Sequence, residues 1–314
     1  MQKTVDLIVA NVGKVLIGKQ QQIKLSLACL FAQGHLLIED LPGMGKTTMA
    51  HALAKVLGLS YSRVQFTSDL LPADILGVSV YDKNKAQFEF HSGPIFNQLL
   101  LADEINRTTP KTQSALLEAM AESQVTIEGE TKALPRPFFV IATQNPLTQA
   151  GTFPLPESQL DRFLMRIELG YPDPESEREM LSGVDPRTLL ATINEVVSPQ
   201  QLEQIQQQIL TIKTSDSLVD YLQRLVQFTR TDGAFQCGLS PRGALAILQC
   251  ARAWAWIHDR NYVIPEDIQA VMPSVAGHRL RGSLDQYGVA HSTNQSSHTG
   301  TMLVQHALNA VDII

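Results

Sequence analysis

Cysteine is scarce in this chain of 314 residues: Cys29, Cys237 and Cys250 are the full set, an odd number at unrelated spacings with no C-x-x-C pair. That excludes a disulfide framework, a zinc ribbon and a thioredoxin-type redox motif, and leaves reduced core thiols as the expectation. Runs of Lys and Arg are missing too, and 25 basic against 31 acidic residues give a formal net charge of -6. Such a chain has no overall field to gather polyanions, so no nucleic-acid partner is expected. No stretch supplies the ~18 uncharged apolar residues of a membrane span. The opening MQKTVDLIVANVGKVLIGKQ lacks the basic start and continuous apolar centre of a secretory signal. A cytoplasmic protein with no direct membrane span is therefore expected. Glycine (19) and proline (16) are too few for a fibrous or disordered chain, and no internal repeat is visible.

What is present is a well-mixed globular composition, 44% hydrophobic and 18% charged, in a length that allows one large or two ordinary domains. The first half alternates short apolar runs with helical patterns, the signature of a parallel sheet covered on both faces. Five runs are candidate strands: HLLIE (35–39), YSRVQF (61–66), QLLLAD (98–103), FFVIATQ (138–144) and RFLMRIEL (162–169). The alternation stops at the Pro- and acid-rich YPDPESERE (171–179), which sets a boundary at 172/173.

Beyond it, PQQLEQIQQQILTIK, SLVDYLQRLVQFTR, SPRGALAILQCARAWAWIHDR and PEDIQAVMPSVAGHRL have helical periodicity, several opening with a cap residue or proline. They predict a smaller all-helical domain over 173–287. Leu202, Ile205 and Ile209 give the glutamine-rich helix its apolar stripe, with the glutamines on a solvated face. Residues 288–300 are small and polar and read as a linker before the apolar tail TMLVQHALNAVDII, expected to dock on the body. His291, His298 and His306 have no metal-ligand context.

Three segments carry chemistry. EDLPGMGKTT (39–48) lies between a strand and a helix pattern, where backbone N–H groups and a helix N-terminus can receive phosphate. Asp40 stands where G-x-x-x-x-G-K-[ST] requires its first glycine. Gly43, Gly45, Lys46 and Thr47 remain, so the departure touches the start of the turn more than the cradle. LLLADEIN (99–106) delivers Asp103 and Glu104 at a strand's C-terminal end, where ligands of open α/β sheets bind; an aspartate there suits Mg²⁺ and its neighbour can polarise a water. FFVIATQNP ends at Asn145, whose amide can reach a γ-phosphate, although an Asn-Pro turn explains the same residues. GVSVYDKNKAQFEFHSG and SQVTIEGETKALPRP read as hairpins, with Phe88 and Phe90 either packed or free to touch a target.

In this order, and followed by LDRF and SPRG, these segments resemble the MoxR family of AAA+ ATPases. The likeness rests on EDLPGMGKT, RVQFTSDLLPADILG, SGPIF, LLADEINR, QSALLEAMAE, IATQNP and LPESQLDRFLMR, and covers most of residues 7–280. In that family an acidic residue commonly replaces the first loop glycine. The resemblance implies a three-layer αβα phosphate-loop domain with a five-stranded parallel sheet and a helical lid, ATP and Mg²⁺ as ligands, and ATP hydrolysis. It implies a nucleotide loop of Pro42, Gly43, Met44, Gly45, Lys46, Thr47 and Thr48, a Walker B pair in Asp103 and Glu104, and Mg²⁺ held through Thr47 and Asp103. Asn145 matches the first sensor, and Gly18 matches a segment that lines the adenine. Arg162 matches an arginine finger acting on a neighbouring subunit, with Arg166 the alternative, and Arg242 opens a lid helix from which it is expected to contact phosphate in cis. The family further implies a homo-oligomeric ring, with a hexamer expected, that remodels client proteins containing von Willebrand factor A domains. A nucleotide-gated scaffold without turnover and a chelatase-like motor subunit are the rival readings.

Overall fold

The computed structural model describes residues 2–145, 152–183, 185–282 and 296–313. The chain opens with two helices, α1 (Gln2–Gly13) and α2 (Gln20–Phe31), and then alternates strands and helices. In order come β1 (Leu36–Glu39), α3 (Lys46–Val56), β2 (Tyr61–Gln65), α4 (Pro72–Leu76), β3 (Gly77–Asp82), β4 (Gln87–Ser92), β5 (Leu99–Asp103), α5 (Pro110–Glu122), β6 (Gln124–Ile127), β7 (Glu130–Ala133), β8 (Phe139–Gln144), α6 (Glu157–Leu160) and β9 (Met165–Ile167). All five expected strands form one parallel sheet in the order β2-β5-β8-β1-β9. Their alternation explains the layers. Leu36, Ile38, Leu99, Leu101, Phe139 and Ile141 enter one apolar core with α1 to α3, while Leu37, Leu100, Ala102, Val140 and Ala142 enter a second with α5.

After the sheet come α7 (Pro174–Ser182), α8 (Pro186–Ala191), α9 (Pro199–Leu210), α10 (Asp216–Thr231), β10 (Phe235–Cys237), α11 (Pro241–Ile257), α12 (Pro265–Ala276), β11 (Arg281–Gly282) and α13 (Ser296–Ala310). The cap signals act as read. Ser198, Ser215 and Ser240 accept the N–H groups of Gln201, Leu218 and Gly243, with proline at the first turn of α9 and α11. Leu202, Ile205 and Ile209 are buried. One glutamine of that helix departs from the solvated face, since Gln206 is buried and donates to the Leu30 carbonyl at 2.9 Å.

Among its described residues the lid carries, besides its helices, an antiparallel ribbon, β10 with β11, which periodicity could not reveal in three residues. The tail also differs from expectation. Residues 283–295 lie outside the described residues, and α13 already begins at Ser296, within the stretch expected to be linker. Leu303, Val304 and Ala307 on this helix are fully buried against the lid, so the tail docks in cis. His291 falls outside the described residues; His306 packs against Phe228 and Phe235.

Cys29 and Cys250 are core thiols, as expected, and burial pushes the Cys29 thiol up to about 12 and Cys250 well above its usual value. Cys237 is instead exposed, on the ribbon. Among the described residues no helix is long and apolar enough to cross a membrane.

Candidate functional site

Parallel pairing brings the C-terminal ends of β5, β8 and β1 side by side: Glu39 lies opposite Gln144, Ala102 opposite Ala142, and Gln65 of the edge strand opposite Asp103. The loop leaving β1 turns through Gly43 (φ 87°) and Gly45 (φ 89°), left-handed positions that a residue with a Cβ enters only under strain. Gly45 also packs closely, since a Cβ there would lie 3.1 Å from Leu16. The turn opens α3, aiming the helix N-terminus at a cavity of about 560 Å³.

Pro42, Gly43, Gly45, Lys46, Thr47 and Thr48 line that cavity together with Asp103, Glu104 and Asn145. Met44 does not: its side chain turns away and packs on the core, leaving only its backbone to the loop. Lys46 is only 7% exposed. Its ammonium donates to the Asp40 carbonyl, to Asn145 Oδ1 at 2.9 Å and to the Gln144 carbonyl at 3.4 Å. Burial lowers its pKa, while Asp40, Asp103 and Glu104 pull in the other direction.

The carboxylate pair is held from several strands. Asp103 Oδ1 accepts from Thr143 Oγ1 at 2.6 Å, and Oδ2 accepts from Arg63 at 2.7 and 3.1 Å and from Thr47 Oγ1 at 3.4 Å. Glu104 sits in a left-handed backbone conformation (φ 56°), unusual for a residue with a side chain, and its N–H donates to Thr143 Oγ1 at 2.8 Å. Its Oε1 accepts from Asn145 Nδ2 at 2.7 Å, and its Oε2 from Gln65 at 2.8 Å and Arg107 at 2.7 Å. Asn106 in turn fixes Asn145 by donating to its carbonyl at 3.1 Å. Thr47 and Asp103 offer hard oxygen donors 3.4 Å apart beside a buried ammonium, a donor set that fits Mg²⁺ with a phosphate ester.

Arg63, Gln65, Arg107 and Thr143 were not singled out from sequence. The alternation of YSRVQ does put Arg63 and Gln65 on one side of their strand, but nothing local reveals that this strand lies beside β5. Asp40 is the other surprise. It resolves the missing glycine, since its Oδ2 accepts the N–H groups of Leu169 at 2.8 Å and Gly170 at 2.7 Å, just past β9.

The remaining expected residues lie elsewhere. Gly18 (φ 74°) does not line the phosphate cavity; it abuts the start of α7, where a Cβ would lie 2.3 Å from Ser176 Oγ. Arg162 is exposed and donates to the Leu117 carbonyl at 2.8 Å. Arg166 forms an ion pair with Glu39 at 3.1 Å, both side chains only 11% exposed. Arg242, with a side chain 74% exposed, meets Asp161 at 3.3 Å and shares a cleft of about 540 Å³ with Arg162, not with the phosphate loop. Its side chain therefore meets Asp161 and not the residues of the phosphate loop. α11 projects Arg242 toward the LDRF segment instead. Arg279, unremarked in the sequence, anchors the same segment: buried, it reaches Asp161 Oδ1 at 2.7 Å and the Phe163 carbonyl at 2.8 Å.

The two hairpins form as read, β3 with β4 and β6 with β7, the second through a Glu128-Gly129 turn with both φ positive. Phe90 packs on Phe96 and under Lys132, whereas Phe88 is 72% exposed, touching Tyr81.

Known proteins are similar to this chain over most of its length. The family model described as ATPase family associated with various cellular activities (AAA) matches residues 35–165, and an AAA lid domain model matches residues 227–297. The uncharacterized protein YeaC of Bacillus subtilis is 47% identical over 272 residues, covering 87% of this chain and 85% of its own length. Chaperone MoxR1 of Mycobacterium tuberculosis is 40% identical over 288 residues, 88% of this chain and 75% of that protein. A crystal structure of a proposed ATPase from Cytophaga hutchinsonii superposes with a TM-score of 0.85 at 37% identity, covering 99% of this chain and 95% of that one.

Proposed function

The chain belongs to the MoxR family of AAA+ ATPases, chaperone-like proteins, and from that premise we propose that it hydrolyses ATP in a ring, a hexamer in our reading, to remodel client proteins. The observation that carries this reading is the convergence of Lys46, Thr47, Asp103, Glu104 and Asn145 on one cavity at the mouth of a glycine turn.

In this mechanism Lys46 binds β- and γ-phosphate oxygens, joined by backbone N–H groups at the start of α3. Thr47 and Asp103 would hold Mg²⁺, which when bound neutralises charge on the phosphates. Glu104 orients the attacking water and takes its proton, and Asn145 fixes both the carboxylate and the lysine, since its amide touches each. Arg162 and Arg242 lie together outside this cavity, which supports their serving the nucleotide of an adjacent subunit. Arg166, spent on Glu39, is the weaker candidate for that role. The Phe88 hairpin, whose strands pair only with each other among the described residues, is our candidate client contact, with von Willebrand factor A domains as the client class that the family resemblance favours.

The test is Mg²⁺-dependent ATP hydrolysis by wild type and Glu104→Gln across protein concentration, with particle mass measured in the same samples. Turnover should rise with assembly and fall by about 10²-fold or more in the variant. Equal turnover in the two proteins would remove Glu104 from the reaction, and nucleotide binding without turnover in any assembled state would make the chain a switch.

A further inference from the structure

Two consecutive acidic residues stand at the mouth of the phosphate loop, a place where uncompensated negative charge would oppose a triphosphate. Both are compensated by the same neighbour. Glu39 pairs with Arg166 on β9, and Asp40 accepts the N–H groups of Leu169 and Gly170 immediately after β9. Residues 168–173 connect the sheet to α7, so this carboxylate joins the loop to the connector leading into the lid.

The connector is shaped for that contact. Gly170 is left-handed (φ 66°), and together with buried Leu169 it presents two successive N–H groups to one oxygen. On its far side the Tyr171 carbonyl accepts from Lys19 at 2.7 Å, and Asp173 caps α7 through the N–H groups of Glu175 and Ser176. The other end of Asp40 faces the site: its carbonyl accepts from the Lys46 ammonium, and its second carboxylate oxygen accepts the N–H of Leu41 at 2.8 Å. One residue thus has its carbonyl on the phosphate-binding lysine and its side chain on the connector.

We propose that Asp40 is a positioning residue that couples phosphate at Lys46 to the 168–173 connector. A glycine here, as the standard loop pattern has, would leave the Leu169 and Gly170 N–H groups without this acceptor. Phosphate oxygens compete with the Asp40 carbonyl for the Lys46 ammonium, and when the lysine turns to phosphate the residue's carboxylate end carries the change to the connector. This rests on the reading of residues 39–48 as a nucleotide loop.

The experiment is amide hydrogen exchange over residues 168–173 in the full chain, with and without a non-hydrolysable ATP analogue, for wild type, Asp40→Asn and Asp40→Gly, alongside analogue affinity, kcat and KM. In wild type the analogue should change connector exchange by about tenfold. In Asp40→Gly that response should vanish and kcat fall about tenfold while affinity stays within about threefold; Asp40→Asn, which keeps an acceptor, should be intermediate. An Asp40→Gly response equal to wild type would overturn the proposal, as would loss of analogue binding in a folded Asp40→Asn, which would make the residue a part of the loop's own shape. Wild type that binds analogue without any connector response defeats the coupling alone. Wild type that binds no analogue defeats the nucleotide-loop reading beneath it.

Discussion

Replacing Thr143 by valine should damage both stability and turnover, because one buried hydroxyl serves two groups of the site. It donates to Asp103 Oδ1 at 2.6 Å and accepts the Glu104 N–H at 2.8 Å. Valine keeps the shape and removes both bonds. The hydrogen bond to a carboxylate contributes about 1.5–3 kcal/mol, and a buried N–H left without a partner costs about 1–3 kcal/mol. Asp103 retains Arg63 and the Thr47 hydroxyl, so part of its loss is recovered; we expect a net loss of about 2–4 kcal/mol. In a protein of this size that shifts Tm downward by roughly 4–16 °C, at 2–4 °C per kcal/mol. Denaturant and thermal unfolding measure it directly. Turnover should fall further than stability explains, by about tenfold at a temperature where the variant is fully folded, since the Glu104 backbone loses the contact that holds its left-handed turn. Thr143→Ser, which keeps the oxygen, is the control. A Thr143→Val protein within 0.5 kcal/mol of wild type on the order-of-magnitude scale of neutral substitutions, with normal kcat, would refute the reasoning.

Other expectations separate the arginines, the hairpin and the buried histidines. Arg162→Ala should leave Tm unchanged and cut turnover by up to about 10³-fold, and mixing it with Lys46→Ala should restore some activity if the finger acts in trans. Arg166→Ala should instead cost about 3–5 kcal/mol in unfolding experiments by leaving Glu39 buried and unpaired. Phe88→Ser should keep basal turnover and stability within about 0.5 kcal/mol, and abolish any stimulation by a client. Acid should destabilise the fold. His35 takes the Val140 N–H on Nδ1 and faces the Met120 carbonyl with Nε2, so protonation would set two N–H groups against each other. Burial dominates and pushes its pKa down to about 4 from 6.5, with the Met120 carbonyl pulling the other way. With the folded value depressed, the unfolded chain binds the proton more readily; stability is full above pH ~6.5 and declines as pH falls toward about 4. His278, enclosed near Arg279 and Arg166, shifts in the same direction, chiefly through burial. Unfolding free energy measured from pH 7 to 4 should fall steadily, and less in His35→Gln.

Much of this architecture is written locally in the chain. The five strands announce themselves as apolar runs because both faces of the sheet are covered, and the lid helices announce their starts with Ser-Pro caps. The loop lysine and the carboxylate pair are legible because phosphate chemistry leaves few residue types to choose from. The donors around them are not. Gln65 and Thr143 reach Glu104 from separate strands that only the β2-β5-β8 order makes neighbours, while Arg107 reaches it from three residues on, where the chain turns back on the carboxylate. Arg242 shows the limit of local signals: its place at the first turn of a capped helix is legible, but its direction depends on how α11 lies on the sheet domain, and it faces Asp161. The tail helix was missed at its start because Ser296 to Gly300 are poor helix formers that gain helicity only from the packed residues after them.

The two apolar cores are not equivalent. The one holding Leu37, Val140 and Phe163 stays within the sheet domain, whereas the one holding Ile38, Leu101 and Ile141 runs without a break through α2 and α3 into α9, α11, α12 and α13. Helices joined by close-packed side chains do not swing apart like a door; they slide past one another by small steps in which side chains keep their partners. Lid motion is therefore expected as a shear across the α2–α11 contact, in displacements of about 1–2 Å. A ring built from such subunits would work less like a set of jaws than like a train of gears, with large excursions left to the exposed β3-β4 hairpin, whose strands pair only with each other among the described residues.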